Sequence, residues 1–230
     1  MSSESQASKH AIQQDDSEQA QDQASQRGQD GRSGNDYRDN VDAAEVAKFE
    51  ALASRWWDKE SEFKPLHEIN PLRLDFIDAR AGLAGKRVID VGCGGGLLCE
   101  PLSRLGAEVT GIDAGKNNIE VAKRHSKEKD VSVNYKKCLP EDVVKNGNTY
   151  DVVISLEVIE HVINAEDFVK TCCQLLNPGG VIIFSTLNRT VESLALAKLG
   201  AEFIFRLVPV GTHSWRKLIY PCELLLNIVC

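Results

Sequence analysis

The sequence predicts an α/β fold: a doubly wound, mostly parallel sheet with helices on both faces. Three observations predict it. Arg87 to Asp113 (RVIDVGCGGGLLCEPLSRLGAEVTGID) reads as strand, glycine loop, helix and strand. Tyr150 to Ser155 (YDVVIS) is a near-continuous apolar run, as a strand covered on both faces requires. Strand and helix patterns then alternate as far as Thr186.

Residues 1–40 are rich in Gln, Ser and Asp, with Ile12 their only branched aliphatic side chain. Such a segment buries too little apolar surface to offset the entropy of ordering it, so 1–40 is expected to be disordered. It holds more acids than bases, the reverse of an Arg-rich mitochondrial presequence. The folded domain, 41–230, is expected to open at Asp42, an N-cap with Glu45 at capping-box spacing. Val46, Phe49, Ala53 and Trp56 recur at helical intervals, and Trp57 adds a second large ring. This helix lies on the main domain or forms a lid over the active site; both readings stand. A second, short helix is expected to start at Asn70-Pro71, where the missing N–H of a first-turn proline costs little. Arg73 would then lie in its first turn, either as a solvated surface residue or as a bidentate clamp on an amino-acid carboxylate.

Val88, Ile89 and Val91 form the first strand, which runs into Gly92-Cys93-Gly94-Gly95-Gly96. Leu98, Leu102 and Leu105 mark one face of the following helix, which stops at Gly106. Val109 to Ile112 then make a strand ending on Asp113. Such a unit holds a nucleoside against a bare backbone turn. The dinucleotide pattern G-x-G-x-x-G/A fails at Leu97; here the glycines fall at alternate positions, Gly92, Gly94 and Gly96. Asp90 precedes them, and a carboxylate at that strand end repels a pyrophosphate and favours a cationic cofactor. Asp113 is placed to accept hydrogen bonds from both ribose hydroxyls. A nucleoside with a positive centre and no phosphates fits best: S-adenosylmethionine. Glycine loops also serve as plain tight turns, and the two acids are what set this one apart.

Asn117 to Lys129 reads as a helix with a charged outer face, and Val131 to Lys136 as a short strand. A further helix is expected to end near Asn177-Pro178-Gly179-Gly180, before a fifth strand, Val181 to Thr186. Directly after YDVVIS come Glu157, Glu160 and His161, at i, i+3 and i+4. A helical turn would gather them on one face at the carboxyl edge of the sheet. Paired carboxylates repel unless a cation or proton lies between them, and this donor set suits Mg²⁺, with Zn²⁺ or Mn²⁺ tolerated by the imidazole. The alternative is a helix terminus carrying His161 as a general base, with no metal.

The net charge of -7 provides no strongly basic patch to neutralise phosphates, so nucleic acid is not an expected partner. Seven cysteines without a C-x-x-C, two of them adjacent (Cys172, Cys173), suit buried thiols rather than a disulfide framework. No apolar run reaches the roughly 18–20 residues of a spanning helix. A soluble or at most peripheral protein is expected.

The stretches KFEALASRWWD, FKPLHEINPLR, VIDVGCGGGLL, LEVIEHV, NPGG, STLNR and VPVGTH resemble the ubiquinone-biosynthesis O-methyltransferases. These belong to the Rossmann-like class I S-adenosylmethionine-dependent methyltransferases. The resemblance covers about 41–221; RWWD and NPLR are its specific parts, and GGGLLCEPLSRLGA and TCCQLLNPGG are closer to the mitochondrial than to the bacterial branch. It implies that Arg73 holds the methionine carboxylate, that Gly92 and Asp113 contact the cofactor, and that Leu156 lies near the adenine. It also implies that Glu157, Glu160 and His161 bind a metal that activates a phenol. The implied substrates are polyprenylated: a dihydroxybenzoate and a demethylated quinol. The implied location is the matrix face of the mitochondrial inner membrane, or the cytoplasm in bacteria, with other ubiquinone-biosynthesis proteins as possible partners.

Lys198, Glu202 and Arg206 form a polar stripe amid Leu194, Leu199, Phe203, Ile204, Phe205, Leu207 and Val208. A helix over 188–210 would lie in a membrane interface or close the pocket as a lid. Class I methyltransferases carry seven strands, and five are read before the chain stops at Cys230. The last strands are therefore expected to be missing, as in a truncated form. Two other readings remain: an inactive truncated paralogue acting as a binding or scaffold protein, and an NAD-linked oxidoreductase, against which Asp90 and Leu97 stand.

Overall fold

The structure, a computed structural model, describes residues 40–186. Five strands form one sheet: β1 (Arg87–Val91), β2 (Glu108–Asp113), β3 (Asn134–Lys137), β4 (Tyr150–Leu156) and β5 (Leu176–Ser185). Their order is β3-β2-β1-β4-β5, and every pairing is parallel. The expected doubly wound sheet is present. Strand order reverses between β1 and β4, so the crevice for a ligand opens at their carboxyl ends.

Alternation along the central strands divides the core between two faces. Val88, Val152 and Ile154 join Ile77, Leu83 and Leu102 on one side; Ile89, Val91 and Val153 join Phe168, Val169 and Leu175 on the other. A third cluster gathers Ala53, Trp56, Phe63 and Leu97, with Phe49 and Trp57 packed against it.

Helix α1 (Ala43–Ala51) is capped by Asp42, whose carboxylate accepts the N–H groups of Ala44 and Glu45 at 3.0 and 3.3 Å. Glu45 is drawn instead to Lys48 (2.9 Å) and His161 (3.0 Å). Upstream, Asn40 exchanges side-chain hydrogen bonds with the backbone of Asn164, and Val41 bridges Val162, which ties this end of the domain to the loop beyond β4.

Helix α2 corrects an expectation. It runs from Lys64 to Ala81, so Pro65 occupies the first turn and Pro71 lies inside the helix. An interior proline removes one hydrogen bond. Packing holds the helix through it: Ile77 is fully buried, Asn70 Nδ2 donates to the Leu97 carbonyl at 2.7 Å, and Gly82 closes the end at φ +60°. Arg73 therefore projects from mid-helix rather than from a first turn.

Helix α3 (Cys99–Arg104) buries Leu102, whereas Leu105, expected on the same face, is exposed because the helix has already ended. Helices α4 (Lys116–Glu128), α5 (Pro140–Lys145) and α6 (Ala165–Gln174) complete the layers. β3 starts later than expected, at Asn134, and only its Tyr135 is buried. β5 starts earlier, at Leu176; its register against β4 shifts between Tyr150 and Val152, which accommodates Asn177 to Gly180.

The largest departure follows β4. Residues 157–164 form turns rather than a helix, because Glu157 adopts φ +53° and breaks the helical path at once. Cys93, Cys99 and Cys172 are buried free thiols, with Cys138 and Cys173 partly covered. No helix among the described residues is long and apolar enough to cross a membrane. Residues 1–39, the 188–210 stretch, VPVGTH, Cys222, Cys230 and the expected end of the sheet lie outside the described residues.

Candidate active site

The glycine loop leaves β1 by turning back on β2: the N–H groups of Gly92 and Cys93 both donate to the Ile112 carbonyl, at 2.8 and 2.9 Å. Gly92 has φ +80° and lies against Val158, so a Cβ there would collide with that side chain. Gly94 has φ +54°, and a Cβ on it would come within 2.5 Å of the Trp56 ring. Gly96 backs onto Tyr135. The three predicted glycines thus sit where neither the backbone angle nor the space admits a side chain.

Asp113 joins the loop to the end of β2. Its Oδ2 accepts from the Gly94 N–H at 3.0 Å; its Oδ1 accepts from the Gly115 N–H at 2.7 Å and from Asn118 Nδ2 at 3.1 Å. These fill three of its roughly four acceptor positions. Burial raises the Asp113 carboxyl above the usual carboxylate range, against the pull of the three donors. Asn118 Oδ1 in turn accepts from Trp56 Nε1 at 2.9 Å, so Trp56, Asn118, Asp113 and Gly94 form one connected network.

Asp90 lies beneath the loop, 4% exposed, with the Cys99 thiol donating to its Oδ2 at 3.2 Å. Burial pushes its carboxyl up to about 7, and Asp113, Arg73 and Glu157 are near enough to act on its charge. Arg73 reaches across from α2 to the end of β4, where Nη2 meets Glu157 Oε2 at 2.5 Å. Glu157 Oε1 accepts from Ser185 Oγ at 2.7 Å. Leu156 ends β4, partly buried against the first core. Every predicted cofactor residue except Leu156 is thus linked to another through a hydrogen bond, an ion pair, close charge or loop backbone.

Glu160 and His161 are arranged differently from the expectation. Glu160 is 5% exposed and accepts from Thr186 Oγ1 at 3.1 Å. His161 Nδ1 pairs with Glu45 Oε2 at 3.0 Å, and its ring packs edge-on to Phe49. The expected shared helical face does not form. Among the described residues no group of three or more His, Cys, Asp or Glu is assembled to hold a metal ion.

Sequence reasoning missed Asn118, Tyr135, Val158 and Ser185 and read Glu45 only as a capping residue; Trp56, in a stretch expected to lie on the domain or over the site, rests on the glycine loop. Trp56 was visible as one of two costly adjacent tryptophans; Tyr135, Val158 and Ser185 meet partners remote in sequence, whereas Asn118 lies only five residues from Asp113.

The residues present fit a nucleoside cofactor carrying positive charge: a glycine cradle, a buried acid at the end of β1, an acceptor at the end of β2, and a guanidinium near the first acid. They do not, as arranged, fit a bound metal. Glu157 is taken by Arg73 and Ser185, Glu160 by Thr186 and His161 by Glu45.

Comparison with known proteins gives the same direction. A family model described as "Methyltransferase domain" matches residues 59–217. The chain is 53% identical over 186 residues to the "Ubiquinone biosynthesis O-methyltransferase" of Pseudomonas syringae pv. syringae, covering 80% of each chain. It is 54% identical over 188 residues to the protein of the same name from Escherichia fergusonii, covering 81% of this chain and 78% of the relative. Among solved structures, the magnesium protoporphyrin IX methyltransferase of Synechocystis PCC 6803 with bound SAH matches in fold. Its TM-score is 0.52 at 22% identity, over 70% of this chain and 69% of that one. The glycine cradle with its two acids and these identities make the chain a methyltransferase, and it belongs to the ubiquinone biosynthesis O-methyltransferase family.

Proposed function

We propose that this chain binds S-adenosylmethionine at the carboxyl ends of β1, β2 and β4 and methylates a catechol-type hydroxyl on a polyprenylated ring. The substrates proposed are 3,4-dihydroxy-5-polyprenylbenzoate and 3-demethylubiquinol. The observation that carries the cofactor assignment is the Gly94–Asp113 hydrogen bond beside buried Asp90. It fixes a bare loop between two acids where a phosphate-bearing cofactor would be repelled. The relatives' shared name supports the substrate class.

Bound S-adenosylmethionine supplies a methyl group on a positively charged sulfur. The chain's own task is to place it and to manage one proton. Arg73 clamps the methionine carboxylate, Asp113 orients the ribose, Leu156 flanks the adenine, and Asp90, buried behind the loop, supplies negative charge that favours the cationic centre. Displacement at a methyl group depends mainly on holding the reacting atoms in line. His161 is the proposed base for the phenol proton: the Glu45 carboxylate at Nδ1 selects the tautomer whose basic nitrogen is Nε2. Glu157 and Glu160 supply negative charge at the same edge. The Mg²⁺ that the resemblance implied is left out of this sequence of events, because its three ligands are engaged elsewhere.

The test is methyl transfer from isotope-labelled S-adenosylmethionine to a prenylated dihydroxybenzoate, followed by mass spectrometry, with and without EDTA. A singly methylated product, lost in His161→Ala, supports the reading; no product from a chain that binds the cofactor rejects the substrate class. Loss of product in EDTA, restored by Mg²⁺, would reinstate the metal. The proposed prenyl tail also gives the 188–210 stretch a use, as a membrane contact or a lid. Deleting it is expected to abolish liposome binding while leaving cofactor binding intact, and unchanged liposome binding would reject the membrane role. The wording of GGGLLCEPLSRLGA and TCCQLLNPGG supports a mitochondrial setting; the bacterial relatives support a cytoplasmic one. Import into isolated mitochondria distinguishes them.

A further inference from the structure

The guanidinium assigned to the methionine carboxylate already holds a carboxylate, and the chain itself supplies it. Arg73 Nη2 lies 2.5 Å from Glu157 Oε2, while Ser185 Oγ donates to the other oxygen at 2.7 Å. The backbone is set for this contact. Glu157 adopts φ +53°, a left-handed conformation unfavourable for a side chain with a Cβ, and its N–H is held by the Ser185 carbonyl at 3.0 Å. Neither partner is sealed from solvent, the Arg73 side chain keeping 17% and that of Glu157 29% of its exposure. Asp90, the other acid acting on this guanidinium, is buried behind the loop and bonded to Cys99. Without Glu157, the largely covered arginine would have its charge poorly compensated, a costly state.

We propose that Glu157 is a built-in stand-in for the methionine carboxylate, a latch on Arg73 that the incoming cofactor must displace. This deepens the cofactor reading above and rests on it. A ligand with a carboxylate opens the latch by replacing it; a nucleoside lacking that group leaves the pair closed. A site latched about nine-tenths of the time binds its ligand about tenfold more weakly than an open one. The latch thus weakens carboxylate-bearing ligands alone and narrows their advantage over nucleosides that lack the group. The rival explanation is a static ion pair joining α2 to β4, which makes the opposite prediction for ligands.

Two probes separate these: S-adenosylhomocysteine, which has the carboxylate, and 5′-methylthioadenosine, which does not. Both are titrated calorimetrically into the full chain in EDTA. Glu157→Gln is expected to bind S-adenosylhomocysteine about tenfold tighter and 5′-methylthioadenosine unchanged. Ser185→Ala, which loosens the latch without removing its charge, should shift affinity in the same direction by less. An unaltered ratio between the two ligands in both variants overturns the latch while leaving the cofactor reading intact. If the wild-type chain binds neither nucleoside, the cofactor reading falls and the latch falls with it.

Discussion

Asp90 carries a prediction in its charge state. Its carboxyl is raised by burial from 3.8 to about 7, so the folded chain holds this proton over a range where the unfolded chain has released it. The stability it contributes is full below pH 4 and is lost as pH rises through about 7. Binding has the opposite sign, because a cationic ligand favours the ionised carboxylate. Below pH 7 uptake of the sulfonium cofactor must release a proton, and affinity for S-adenosylmethionine should be up to about tenfold lower at pH 6 than at pH 8. Calorimetry at the two pH values checks this, and Asp90→Asn should flatten the difference. The positions of Asp90 and Asp113 beside the loop were legible, because they are set by spacing from the glycines. The partners of Glu157 were not: Arg73 and Ser185 lie far from it in sequence, and only the fold brings a mid-helix arginine to a strand end.

At the scale of elements, the N-terminal segment acts through Trp56. It is 8% exposed, stacks on Phe63 at 3.9 Å, rests on Gly94 and Gly95, and donates to Asn118. Trp56→Ala should cost about 3–5 kcal/mol and weaken cofactor binding, since Asn118 then loses the partner that holds it against Asp113. Gly94→Ala should destabilise by roughly 1–3 kcal/mol, from its positive φ and the collision with that ring. Chemical denaturation measures both. The βαβ unit and the Asp42 cap were readable because each has a local rule. The start of α2 was not, since Pro65 and Pro71 both satisfy the first-turn rule and burial of Ile77 supports the longer helix. The turn after β4 was misread for a related reason: i, i+3, i+4 spacing describes a helical face only if the backbone is helical, and Glu157 is not.

For the molecule as a whole, the doubly wound parallel sheet was foreseen, because alternating patterns leave few ways to wind such a sheet; its strand order, β3-β2-β1-β4-β5, comes from the structure. Ligand binding should couple to the entire domain. S-adenosylhomocysteine at about 100 times its Kd adds roughly 2.7 kcal/mol, a rise in Tm of about 5–10 °C. The most direct measurement is titration of the full chain with S-adenosylhomocysteine, alongside Asp113→Ala. A 1:1 isotherm for the wild type, absent from a variant that still melts cooperatively, is the predicted result. A wild-type chain that melts cooperatively yet binds none of the nucleoside, or an Asp113→Ala variant that binds it unchanged, would contradict the assignment of this crevice to the cofactor.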